Sequence, residues 1–327
     1  MRTMMKSRKS VRKAAASLLV AAALATGATG LVQAGTAGTA SAGERAVEAL
    51  GQVPGTIYYS LNDTVYAFQP SVGATPKPVF TMPGGGSTGL ATVSGDGRHL
   101  AYYTKGSAYP KQNLVVRDLV KGTDKVVYRD LVQNGGPCAS PEWAPDGKSV
   151  VGVLNGRNLN WIEVATAKVI ATTTLPGCQP FKPSVNPAGG YDVNMVAGFD
   201  FEFARVAPNG TVTTFPNVSA ALKARGAERG VTDIVAMGRE GSRACVTTLD
   251  PNSWRPQYCE VSVDVTSGEV YFERTADSPG ITLPLADGTN LDATIGDVTR
   301  YDWEGNAYQH SVVPVSLYNA SVIGYKP

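Results

Sequence analysis

The chain has 327 residues, with 29 basic and 27 acidic side chains and a net charge of +2. Six of the basic residues (Arg2, Lys6, Arg8, Lys9, Arg12 and Lys13) fall near the start, where there is no acid, so residues 43–327 carry 23 basic against 27 acidic, a net −4. A mildly acidic, mixed surface lacks the concentrated basic face that phosphate binding needs, which excludes nucleic acid as the expected partner.

The basic stretch leads into an apolar run from Ala14 through Leu18, Leu19 and Val20 to about Leu31, then into small residues ending at Ala40-Ser41-Ala42. This order of charge, apolar segment and small-residue exit is the layout of a secretory signal peptide. Residues 1–42 are therefore expected to be a signal, cleaved between Ala34 and Ala42, with the mature chain secreted to the medium or cell envelope. Gly27 and Gly30 interrupt the run, which argues against an anchor, because a span needs roughly 20 firmly apolar residues. There is no adjacent arginine pair for a twin-arginine signal. No Cys precedes Cys138, so a lipid-anchored N-terminus is not expected. No later segment has the length and apolarity of a membrane span. Residues 43–327 are long enough for one large all-β domain.

Four cysteines, Cys138, Cys178, Cys245 and Cys259, stand in this exported context. An even count points to two disulfides. Zinc is the competing chemistry, but there is no C-x-x-C pair and neither histidine lies near a Cys in sequence.

Taken in chain order, alternating strands joined by a tight turn recur six times. The copies are Thr64–Phe80 around Val72-Gly73, Asn113–Tyr128 around Lys121-Gly122 and Asn158–Thr172 around Ala165-Thr166. They continue as Phe201–Phe215 around Asn209-Gly210, Gln257–Phe272 around Ser267-Gly268 and Asp297–Val312 around Glu304-Gly305. The turn-to-turn steps are 49, 44, 44, 58 and 37 residues, the length of a four-stranded propeller blade. A helix is expected over Val218–Arg225, with Asn217 as N-cap and Gly226 as stop, and it accounts for the long fourth step.

Upstream of most hairpins lies a second unit. Its clearest copy runs from Pro141-Glu-Trp143-Ala-Pro-Asp146-Gly147 to Val153, and another runs from Val93-Ser-Gly-Asp96-Gly97 to Tyr103. Looser copies start at Val185, Ala236 and Leu285. The Asp-Gly pair turns the chain because Gly accepts positive φ and Asp bonds the local backbone. The string SPEWAPDGKSVVGV resembles the S-P-x-W-S-P-D-G-K-x-L-A-F repeat of TolB-like, WD40-like propellers, also found in prolyl oligopeptidase relatives. The resemblance covers residues from about 88 to 300.

It implies an all-β fold: one six-bladed β-propeller over 43–327, built of four-stranded antiparallel blades. A β-sandwich with chance turns is the alternative. Thr56–Ser60, Thr64–Gln69 and Lys77–Met82 supply three strands of the first blade, and Val315–Tyr325, read as a lone strand, is expected to complete it and close the ring. On this map Cys245 and Cys259, with their midpoint at Asn252, face each other across a hairpin, while Cys138 and Cys178 join consecutive blades. Trp143 takes the repeat's aromatic position, expected between blades.

Catalytic signals are weak. Gly85-Gly86-Ser87-Thr88-Gly89 matches a nucleophile-elbow pattern, but it follows Pro83-Gly84 and precedes a strand rather than a helix. His99 and His310 read as surface histidines. The hydrolase domain of the peptidase relatives has no counterpart, so that activity is not carried over, and neither is the translocation role of TolB, whose N-terminal domain has none either. Asp192, Asp200, Asp233, Asp292 and Asp297 could offer oxygens to calcium, but turn or strand-end roles fit them better, and no cofactor is otherwise expected.

Trp254, on the Asn252–Pro256 loop, is the leading candidate contact for a glycan or protein, with Trp161 and Tyr191 beside it. The sequons at Asn62, Asn209, Asn217 and Asn319 read as incidental. The leading expectation is a monomeric, non-enzymatic scaffold that binds a protein, peptide or cell-envelope ligand. The rival is a channel-mouth hydrolase or lyase assisted by calcium. Fold alone does not decide between them.

Overall fold

The computed structural model describes residues 50–70, 75–83, 91–107, 111–131, 141–144, 146–154, 158–174, 184–185, 191–197, 200–207, 209, 211–226, 233–237, 242–247, 259–273, 281–285, 289–293, 295–302, 305–316 and 320–327. The chain divides into two units, Met1–Ser41 and Ala42–Pro327, and every described residue belongs to the second.

The first strands are β1 (Thr56–Leu61), β2 (Thr64–Phe68) and β3 (Lys77–Thr81). Four follow as β4 (Thr92–Val93), β5 (His99–Lys105), β6 (Gln112–Asp118) and β7 (Thr123–Leu131). Next come β8 (Glu142–Trp143), β9 (Ser149–Leu154), β10 (Asn158–Glu163) and β11 (Lys168–Thr174). A fourth group is β12 (Ser184–Val185), β13 (Tyr191–Ala197), β14 (Asp200–Val206) and β15 (Val212–Thr214), followed by the helix α1 (Pro216–Lys223). The last groups are β16 (Asp233–Met237), β17 (Arg243–Thr247), β18 (Val261–Asp264) and β19 (Val270–Glu273), then β20 (Ile281–Pro284), β21 (Asn290–Ala293), β22 (Ile295–Tyr301) and β23 (Ala307–Ser316). β24 (Ser321–Lys326) ends the chain.

Five four-stranded antiparallel sheets are each made of consecutive strands, and a sixth sheet has the order β24-β1-β2-β3. Numbered around the molecule, the composite sheet is sheet 1 and the consecutive groups are sheets 2 to 6. The innermost strands neighbour one another in the order β4, β8, β12, β16, β20, β24, and β24 lies beside β4 again. This is an all-β propeller of antiparallel blades. β24 pairs with β1 from Thr56–Lys326 to Ser60–Ser321. Its first residue is Ser321, so the expected lone strand is shorter than Val315–Tyr325, because Val315 and Ser316 still belong to β23.

The burial gradient explains the sequence pattern. In sheet 1, β1 is buried over Ile57–Ser60, β2 is partly buried and β3 is largely exposed. An inner strand covered on both faces needs a continuous apolar run, whereas an outer strand does not. Alternation then sorts the side chains: Ile57 and Tyr59 pack toward sheet 6 with Leu291 and Val298, and Tyr58 packs toward sheet 2 with Leu100 and Tyr102. Trp143 is buried between sheets 2 and 3 beside Ala101, Leu114 and Val150, and its Nε1 donates to the carbonyl of Thr92 at 3.2 Å.

The helix α1 starts two residues earlier than expected. Phe215 is its N-cap, without a side-chain capping bond, and Pro216 opens the first turn, where proline's fixed φ and missing N–H cost nothing. Asn217 therefore lies inside the helix, and its Nδ2 donates to the carbonyl of Thr266 at 2.7 Å in the last hairpin turn of sheet 5. Val218 and Leu222 are buried among Phe203 of sheet 4 and Ala244, Val246 and Val263 of sheet 5.

Candidate functional site

The repeat fixes the turns through short carboxylate contacts. Asp96 Oδ1 accepts from the Ser94 hydroxyl at 2.6 Å and from the N–H of Arg98 at 2.9 Å, and Asp146 Oδ1 accepts from the N–H of Lys148 at 2.9 Å. The following glycines, Gly97 and Gly147, have φ of +68° and +63°.

A second carboxylate device was missed in the sequence. Asp118 Oδ1 accepts from the N–H groups of Val120 and Lys121, and Asp264 Oδ1 from those of Thr266 and Ser267 and from the Ser267 hydroxyl. Asp302 Oδ1 accepts from the N–H of Asn306 at 2.7 Å. In the first two copies the Asp carbonyl also accepts from a glycine four residues on, Gly122 and Gly268, both at positive φ. Sheet 3 keeps this geometry without the glycine, because Ala167 stands there at φ +56° and donates to the Glu163 carbonyl. The signal was legible as an Asp four residues ahead of Gly122 and Gly268.

Because all sheets are antiparallel, both kinds of turn lie at one end of the strands. The outer strands between them carry the exposed apolar surface. Val79, Val169, Ile170, Val212, Tyr271, Tyr308 and Val312 all lie on outer strands, and Ile170 is 58% exposed. Guanidinium groups cover several outer aromatics: Arg117 lies 4.1 Å from the Phe80 ring centroid, Arg243 4.1 Å from Tyr271 and Arg300 5.3 Å from Tyr308. Such stacking holds an amphipathic, planar surface at the rim. His310, also on β23, is no free surface histidine, since its Nε2 lies 2.9 Å from Asp297 Oδ1.

Sheets 5 and 6 meet at a polar seam. Ala244, Val246, Val261 and Val263 take the face of sheet 5 that packs toward sheet 4. By alternation Cys245, Thr247 and Ser262 take the other face. Cys245 is disulfide-bonded to Cys259, with Cα atoms 5.2 Å apart. The two are not cross-strand partners, because Cys245 pairs with Ser262 and Cys259 lies ahead of β18. The midpoint at Asn252 assumed a regular hairpin, and the strand register is offset from it by three positions. The Cys259 N–H instead donates to Thr282 Oγ1 in sheet 6 at 2.7 Å, and that hydroxyl donates to Asp292 Oδ1 at 2.7 Å. Thr282 and Asp292 are both buried.

Of the residues singled out for binding, Trp161 and Tyr191 lie on strands of different sheets. Trp161 lies in mid-strand on β10, opposite Val151 and Ala171 and next to a bulge. Tyr191 opens β13, paired with Val185 and Val206. Trp254 lies outside the described residues. Cys138, Cys178 and Ser87 also lie outside them. Of the aspartates considered for calcium, Asp292 is bonded to Thr282 and Asp297 to His310, while Asp192 pairs in register with Ser184 and Arg205. No group of three or more His, Cys, Asp or Glu converges among the described residues.

TolB from Acinetobacter baumannii superposes on this chain with a TM-score of 0.52 at 14% identity, over 83% of this chain and 67% of that one. The fold is that of a TolB-like β-propeller. The putative TolB from Agrobacterium tumefaciens gives a TM-score of 0.43 at 15% identity, over 85% of this chain and 90% of that one. No protein family and no curated protein matches the chain. Among the described residues of this TolB-like propeller, no helix is long and apolar enough to cross a membrane.

Proposed function

We propose that this chain is exported and works as a non-enzymatic binding scaffold for a protein or peptide ligand, as a six-bladed propeller closed by its C-terminal strand. The closed ring is supported by the six sheets, by the cyclic order of their inner strands and by the β24–β1 pairing. Export is supported by the charge, apolar and small-residue order of residues 1–42 and by the Cys245–Cys259 disulfide.

The observation that carries the binding role is the exposure of valine, isoleucine and tyrosine side chains on the outer strands of five sheets. Tyr271 and Tyr308, each under an arginine, are the kind of rigid amphipathic contact that protein interfaces favour.

A photo-cross-linking residue placed at Tyr271 or Tyr308 in the exported protein tests this. The expected result is one protein adduct common to both positions and competed away by unlabelled protein. Thermal unfolding with calcium or EDTA is the counter-test. A calcium-dependent shift without any adduct would replace the scaffold with a metal-assisted channel site.

A further inference from the structure

A buried polar group that finds no hydrogen bond costs free energy, so folded chains leave few of them unmatched. Two lie on one face of sheet 2. The Tyr103 hydroxyl and Gln112 Oε1 are buried, and neither has a hydrogen-bond partner.

The strand register places these two side chains side by side. Tyr103 on β5 pairs with Leu114 on β6, and Lys105 pairs with Gln112. Gln112 is thus the diagonal neighbour of Tyr103 on the same face, at a Cα spacing of about 7–8 Å that long side chains can close. That face packs toward sheet 3, since Tyr103 and Leu114 share a cluster with Trp143, Val150 and Ile162. By alternation from Ile162, the buried Asn160 of β10 takes the face of sheet 3 that meets them. Its Nδ2 donates to the Asn158 carbonyl at 3.0 Å, and its Oδ1 accepts from the Thr172 hydroxyl at 2.6 Å. The seam therefore turns from apolar around Trp143 to polar at Tyr103, Gln112 and Asn160.

The two unmatched atoms have opposite needs. Burial first, and then the nearby Glu142 charge, push the Tyr103 phenol up, so its O–H stays in place as a donor without an acceptor. Gln112 Oε1 is an acceptor without a donor. One small molecule that accepts and donates at once satisfies both. We infer that a single water molecule is held between Tyr103 and Gln112, inside the seam of sheets 2 and 3. Buried water commonly serves polar groups that the chain itself leaves unmatched. A cation fits poorly, since calcium asks for about six oxygens or more and no group of three or more His, Cys, Asp or Glu converges among the described residues. The inference does not depend on the scaffold reading.

High-resolution diffraction from crystals of the exported protein is the direct test. It is expected to show an isolated density peak about 3 Å from both Tyr103 Oη and Gln112 Oε1. Tyr103→Phe keeps the ring in its cluster and removes only the hydroxyl. It is expected to lower Tm by about 2 °C or more, because the water loses one of its bonds. A dry hydroxyl would give the opposite sign, since its removal relieves an unmatched group. Gln112→Met is expected to lower Tm as well. The double variant is expected to lose less than the sum, because either change already releases the shared molecule. The inference is overturned by the lack of a peak, by a peak at cation distances of about 2.3–2.6 Å, by a Tm that holds or rises in either single variant, or by additive losses.

Discussion

The N–H of Val53 donates to the hydroxyl of Ser311 at 2.9 Å, although the two residues are 258 positions apart. Both are buried. With the Gly51–Gln309 bridge, this contact ties the segment ahead of β1 to the outer strand of sheet 6. Two separate junctions therefore tie this region together, the β24–β1 pairing and the contacts of Gly51 and Val53 with sheet 6.

Ser311→Ala removes the acceptor and leaves a buried N–H without its partner, a loss of about 1–2 kcal/mol. The expected result is a lower Tm together with faster amide exchange at Val53. Unchanged exchange there would mean that the segment is held by its side chains alone.

Ala167→Gly is expected to raise stability slightly. Ala167 adopts φ +56°, which costs an L-residue about 1–2 kcal/mol. Glycine escapes that cost but gives back about 0.5–1 kcal/mol in chain entropy. A denaturant midpoint shifted upward at unchanged slope, corresponding to a gain of about a few tenths of a kcal/mol, is the outcome that checks it.

Gly268→Ala is expected to do the opposite. Gly268 sits at φ +77°, and a Cβ there would meet the carbonyl oxygen of Asn217 at 2.6 Å, on the first turn of α1. Strain and displacement of the helix together cost about 2 kcal/mol or more. Chemical denaturation of the variant reads the loss directly.

Replacing both Cys245 and Cys259 by serine opens a loop with a sequence separation of 14. The chain-entropy account gives a loss of about 3 kcal/mol. Thr282→Val, which removes the hydroxyl that both accepts from Cys259 and donates to Asp292, is expected to lower stability with the disulfide intact. Thermal unfolding of the two variants separates the covalent from the polar part of the seam.

Acid stability follows from Asp264. The backbone N–H of Ser267, with the Ser267 hydroxyl and the N–H of Thr266, holds its carboxyl below the ordinary carboxylate range. The folded state thus takes up this proton at lower pH than the unfolded chain does. The contribution is present above the unfolded value of about 3.9 and is lost as pH falls through the folded one. Asp264→Asn is expected to flatten the decline of Tm in that acid window and to leave the neutral slope unchanged.

Local chemistry was legible in the sequence wherever one turn decided the structure. Asp96-Gly97, Asp146-Gly147 and the glycines Gly122, Gly268 and Gly305 all mark turns, because positive φ leaves few residue choices. Trp143 was placed between sheets for the same reason, since the repeat fixes its distance from the Asp-Gly turn. Features that depend on distant register were not legible. The Gly51–Gln309 bridge has no local signature, and the three-position offset between Cys245 and Cys259 cannot be seen without the strand pairing. Asn217 looked like a cap because asparagine caps helices, but Pro216 one residue earlier settled the start. The candidate surface was only partly foreseen. Trp161 and Tyr191 were singled out as aromatic residues, whereas the exposed aromatics Tyr271 and Tyr308 depend on strand order for their position at the rim.

The pairing of Thr56 with Lys326 has a mechanical consequence. The strand that enters sheet 1 and the strand that leaves the chain meet at the same end of an antiparallel pair. A pull applied between residues 50 and 327 would first strain the Gly51–Gln309 bridge and the Val53–Ser311 bond, then Thr56–Lys326, Ile57–Tyr325 and Tyr58–Gly324, one rung after another. The β1–β24 pair therefore peels rather than shears, giving way rung by rung from Thr56–Lys326 inward.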